Sequence, residues 1–93
     1  MHSILAISST IRRTQTPDGA VLLDVERGEM FSVNAIGSKI LNLLHAGLDE
    51  TEIASQLSTT FGADPEQVRT DVHEFLETLD RRHILSKGPR AHK

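Results

Sequence analysis

One stretch limits what this chain can fold into more than any other: Glu29-Met30-Phe31-Ser32-Val33-Asn34 and the helix that opens after it. Residues 30–33 read as a short β-strand, and Asn34 is a residue type favoured at helix N-caps. The strand carries no Lys, Arg or Pro. Proteins ordinarily blunt a sheet edge with charge, proline or a bulge. If this strand lies at an edge, it offers unpaired backbone donors and acceptors to any other chain. The expectation is that a peptide pairs with it.

The rest of the first half supplies that edge. Residues 11–16 read as a first strand, with Arg12 and Arg13 as edge charge. Thr16-Pro17-Asp18-Gly19 is a turn, since proline presets φ and glycine accepts a positive one. Residues 20–25 form a second strand, in which Val21, Leu23 and Val25 alternate with Ala20, Leu22 and Asp24. A second turn over residues 26–29 leads to the strand at 30–33. Short connections favour antiparallel neighbours, so a meander in chain order follows, with the third strand outermost.

Three helices follow. The first spans about residues 35–46, with Gly47 placed for a left-handed C-terminal residue. Ile36, Ile40, Leu41, Leu43 and Leu44 form its apolar stripe. Gly37 in its first turn is costly, which points to a close approach there. Asp49 and Glu52 make a capping box for the second helix, and Leu48 with Ile53 a hydrophobic staple. Ile53, Ala54 and Leu57 are its buried face, closed by Phe61 and ended by Gly62. Asp64, Pro65 and Gln67 open the third helix with a second box-like pattern. Val68, Val72, Phe75, Leu76 and Leu79 share its apolar face, Arg81, Arg82 and His83 occupy its last turn, and Ile84-Leu85 returns to the core.

The fold class is therefore α+β and winged-helix-like: an N-terminal three-stranded antiparallel sheet followed by three helices. Residues 1–10 read as a flexible lead-in, 11–85 as the domain, and 86–93 as a disordered basic tail. At 93 residues the chain makes one small domain with a limited core.

Several function classes are disfavoured. The chain has no Cys, so disulfides and thiolate metal sites are excluded, which suits a cytoplasmic location. No apolar run is long enough to span a membrane, and Ile4-Leu5-Ala6-Ile7 is too short for a signal-peptide core. His2, His45, His73, His83 and His92 show no ligand spacing, so no metal or other cofactor is expected. Asp71, Glu74 and Glu77 read as a solvated face, and Ser38 has no base nearby in sequence, so no catalytic set emerges. The net charge of −3 and the acidic third helix oppose a helix-turn-helix DNA reading, which stands as an alternative. Trp and Tyr are absent, removing the usual bases' stacking partners.

The stronger reading is a groove between the outer strand and the third helix. Met30, Phe31, Ser32, Val33 and Asn34 supply the rail. Asp71, Phe75, Thr78 and Arg82 share one side of the helix at spacings of four, three and four. Phe75 and Leu79 are expected to floor an apolar slot, with Asp71 and Arg82 as its polar rims. The competing reading makes Phe75 and Leu79 plain core and pairs the edge with a second copy, a homodimer.

Met30-Phe31-Ser32-Val33-Asn34-Ala35-Ile36-Gly37, then Leu44-His45-Ala46-Gly47, Glu52-Ile53-Ala54, Leu57, Asp71-Val72, Phe75-Leu76, Leu79 and Ile84-Leu85 resemble the PqqD family in order and spacing. The resemblance covers about residues 11–85. It implies a PqqD-like recognition element for the precursors of ribosomally made, modified peptides (RiPPs). Such a protein binds a leader peptide as an added strand and presents it to a processing enzyme, without itself being an enzyme. Two departures stand out: Ser32 where a bulkier side chain is frequent, and His83 where Gly is usual. Val21-Leu22-Leu23-Asp24 with Gly28 is similar to the stand-alone proteins of lasso-peptide clusters, which serve a cysteine-protease-like leader peptidase. The pyrroloquinoline quinone branch, whose partner is a radical SAM enzyme, is the alternative.

Overall fold

The computed structural model describes residues 3–89. Its elements run β1 (Ser3–Ile7), β2 (Ile11–Thr16), β3 (Gly19–Asp24), β4 (Glu29–Asn34), α1 (Ala35–His45), α2 (Glu50–Phe61), α3 (Pro65–Arg81) and β5 (Leu85–Pro89). The antiparallel meander is present in the order β2-β3-β4, with Ala20 opposite Val33 and Leu22 opposite Phe31. The three helices follow it, as the pattern requires.

One hydrophobic core joins sheet and helices. Ala20 and Leu22 from β3, Val33 from β4, Ile40, Leu41 and Leu44 from α1, Ile53 and Leu57 from α2, and Val72, Leu76 and Leu79 from α3 are all buried. The alternation in β3 places Asp24 on the same inward face, where it is 5% exposed. Its Oδ1 accepts from the backbone N–H groups of Glu26 (3.0 Å) and Arg27 (3.1 Å). An aspartate turned onto its own following backbone fixes the β3–β4 turn, and with it the position of β4.

The helix ends are well defined. Asn34 Oδ1 accepts from the Gly37 N–H at 2.8 Å. The box on α2 is complete, with Asp49 and Glu52 bonded reciprocally at 2.8 Å each. On α3 the second box does not form: Asp64 makes no side-chain cap bond, and Gln67 donates to Asp71 Oδ1 instead (3.0 Å). Asp71 lies one turn on and competes for the amide that the box needs. His83 follows the Arg82 C-cap with φ 63°, and the Ile84 N–H reaches the Leu79 carbonyl at 2.9 Å, closing a Schellman turn.

Two glycines are required by close approach. A Cβ at Gly19 would stand 2.1 Å from the Val33 carbonyl oxygen, a backbone clash with no relief. At Gly37 it would stand 3.0 Å from Phe75 Cζ and 3.1 Å from Val33 Cβ. The costly glycine of α1 thus makes room for an aromatic ring from α3.

The ends of the chain differ from expectation. β1 and β5 pair antiparallel as a separate two-stranded sheet, Ile7 opposite Leu85 and Ser3 opposite Pro89. The lead-in and the start of the basic tail are therefore strands, because each satisfies the other's backbone groups. Residues 1–2 and 90–93, also assigned to lead-in and tail, lie outside the described residues. Among the described residues, no helix is long and apolar enough to cross a membrane.

Candidate functional site

β4 is an edge strand: among the described residues nothing pairs on its far side. Which of its backbone groups face outward follows from the ladder. The Val25 N–H donates to the Thr10 carbonyl at 3.0 Å, and the Gly28 N–H to the Asp24 carbonyl at 2.8 Å. Backbone direction alternates along a strand, so Val21 and Leu23 turn toward β2 while Ala20, Leu22 and Asp24 turn toward β4. Their register partners Val33, Phe31 and Glu29 then pair inward. Met30 and Ser32 are left with N–H and C=O pointing off the sheet.

The side chains of β4 divide by face. Val33 is buried and Phe31 half-buried, both turned toward the helices. Met30 and Ser32 are exposed on the outer surface, Met30 directly opposite Leu23. Asn34 is occupied in capping α1.

α3 supplies the opposite wall. Arg82, at its C-cap, places its guanidinium carbon 5.0 Å from the centre of the Phe31 ring, a cation–π contact. Beneath it, beside Asp24 and Ile84, the space is about 10 Å³, no larger than a single water. Phe75 is half-buried and leans over Gly37 near Val33. Thr78 is half-buried, its hydroxyl donating to the Glu74 carbonyl at 2.9 Å. Asp71 is exposed. At spacings of four, three and four, these positions share one side of α3 by helix geometry.

Leu79 does not belong with them. It is 0% exposed and has no surface to present, so it is core rather than the floor of a slot. Its position on α3 points it at the centre of the packed face, one step around from Phe75. The open apolar space lies further toward the start of α3. There Ile36, Ile40, Phe61, Val68 and Val72 border a groove of about 250 Å³, with Asp71 at its rim. Ile36 and Phe61, both assigned to buried stripes by periodicity, are 44% and 51% exposed. Each sits at a helix end, where the stripe outruns the neighbour that would cover it. Asp24 was also missed as a positioning residue, although an Asp followed closely by a glycine-containing turn is its recognisable signal.

Away from this flank, His73 on α3 bonds Glu50 of α2 at 3.0 Å and lies 3.3 Å from Glu77. The bond from Glu50, its charge and that of Glu77 raise the His73 pKa above the ordinary 6.5. Among the described residues no three His or carboxylate side chains converge as a metal site would require.

One family model matches most of the chain, and three solved structures share its fold. The model of the family described as "Coenzyme PQQ synthesis protein D (PqqD)" matches residues 19–85. TbiB1, solved in complex with the TbiA(beta) leader peptide, is 30% identical, with a TM-score of 0.81 over 87% of this chain and 94% of that one. A lasso peptide synthetase B1 complexed with its leader peptide is 22% identical, with a TM-score of 0.80 over 92% and 99% of the two chains. The PqqD truncation of Methylobacterium extorquens PqqCD, a stand-alone RiPP recognition element, is 23% identical, with a TM-score of 0.73 over 88% and 87%. No curated protein matches in sequence.

Proposed function

This chain belongs to the PqqD family, and on that footing we propose that it captures the leader of a ribosomally made precursor peptide as an added strand on β4. The observation that carries the reading is the open edge: Met30 and Ser32 hold backbone groups ready for a partner strand, beside a wall supplied by α3. Strand addition draws affinity from those groups and specificity from alternate side chains dropping toward the helix. TbiB1, the 30%-identical relative, binds a leader peptide. The role is that of a cytoplasmic binding module. It presents the bound precursor to a separate processing enzyme, for which a cysteine-protease-like leader peptidase of lasso-peptide clusters is favoured over a radical SAM enzyme.

The test titrates this chain into a labelled leader peptide, from a precursor frame to be sought near its gene, and separately into labelled duplex DNA. We expect saturable peptide binding that changes little between about 50 and 200 mM salt, and no duplex binding. Ser32→Pro removes an N–H that points off the sheet, so the meander keeps its own ladder. Its far-UV circular dichroism should match the parent while peptide affinity falls at least about tenfold, or about 1.4 kcal/mol. Unchanged affinity in a folded Ser32→Pro protein, or steeply salt-dependent duplex binding, overturns the reading.

A further inference from the structure

Further surface lies beyond the end of β4 at Asn34. The strand leads straight into α1, whose first turn carries Ile36, and α3 runs alongside from Arg82 at the Phe31 end to Asp71 and Val68 at the Ile36 end. The groove of about 250 Å³ therefore continues the edge rather than lying apart from it. Its size falls below the ~300–1,000 Å³ typical of small-molecule pockets, and suits one or two side chains. Among the described residues its lining is apolar apart from Asp71, the one charged residue there. One Asp71 oxygen accepts from Gln67, which leaves the other oxygen for a partner. Half-exposed Ile36 and Phe61 face the same space, which gives contiguous uncovered apolar surface a reason.

We propose that this groove seats one large apolar side chain of the peptide paired with β4, and that Asp71 selects a Lys or Arg beside that anchor. The assignment rests on the reading of β4 as a strand-adding edge. It also sets a register. Asp71 and Arg82 are separated by about 16 Å of helix, so the anchor falls about five extended residues from the peptide residue opposite Phe31.

The test selects from a displayed library of random peptides about 12 residues long, enough to span β4 and reach the groove at ~3.3 Å per residue. On the parent chain, binders should converge on a large apolar residue next to Lys or Arg. The same library on Phe61→Ser should lose the apolar preference, and on Asp71→Asn the basic one. A selected peptide should bind the parent about tenfold more tightly than its anchor-to-Ala form. On Phe61→Ser the two should bind alike. Both Phe61 and Ile36 are about half exposed, so Ile36→Gln gives a second folded variant with the same expected outcome. Binders that are indifferent to Phe61→Ser, Ile36→Gln and Asp71→Asn but lost on Ser32→Pro overturn this assignment and leave strand capture standing. Failure to enrich any peptide on the parent, or binders indifferent to Ser32→Pro, overturns strand capture and this assignment with it.

Discussion

His83 shows how a single residue can be retained against local preference. Its φ of 63° is left-handed, where a side chain costs energy and glycine does not. It nevertheless completes the turn that returns Ile84 to the core, with the His83 N–H donating to the Asp80 carbonyl at 3.0 Å. His83→Gly should therefore stabilise the fold by about 0.5–1 kcal/mol. In a domain this size that raises the melting temperature by a few degrees, about 4–8 °C per kcal/mol. Differential scanning calorimetry checks it; an unchanged or lower midpoint would show that the His83 side chain contributes a compensating contact. The unusual residue at this position was visible in the sequence, whereas its strained backbone was not. Asn34 was legible in full, because an N-cap depends only on a few consecutive residues. Leu79 was not: periodicity assigns a face but not which degree of that face meets solvent.

Among the elements, the capping box of α2 and the strand-to-helix passage at Asn34 were legible for the same local reason. The pairing of β1 with β5 was hidden, since it joins segments from opposite ends of the chain: the apolar run Ile4-Leu5-Ala6-Ile7 announces no partner, and the sequence Leu85-Ser86-Lys87-Gly88-Pro89 does not read as a strand. The contact between α2 and α3 through His73 was hidden too: its Nδ1 lies 3.0 Å from Glu50 Oε2. Glu50, first by its hydrogen bond and then by its charge, and Glu77 raise the His73 pKa in the folded state. A raised histidine pKa contributes stability that is fully present below the unfolded value of about 6.5 and lost as pH rises through the folded value. The parent should melt higher than His73→Gln in mildly acidic buffer, and the gap should close on the alkaline side. The groups are exposed, so the gap will be small and should shrink with salt. A gap that widened with increasing pH would assign His73 a different role.

At the scale of the whole molecule, the open β4 edge has room for one added strand, so the proposed peptide and a second copy would exclude one another there. Leader peptide should therefore saturate at one per chain and dissociate any dimer that forms at high protein concentration. Light scattering during a titration reads this directly. A dimer that persists with every chain peptide-bound would place its interface elsewhere, for example on the outer sheet face where Leu23 and Met30 stand exposed opposite one another. The architecture was legible from the order of turns and caps, and so was the outermost place of the strand. The groove was not, because it depends on how far three helices splay at their ends.

Because Ser3 lies across from Pro89, the described chain is close to a ring held shut by hydrogen bonds. Anything tethered before or after it would depart from a common point on a sheet that β4 does not share. A fusion partner could thus be carried on either terminus, or the whole unit spliced into a host loop, without adding to the sheet that holds β4.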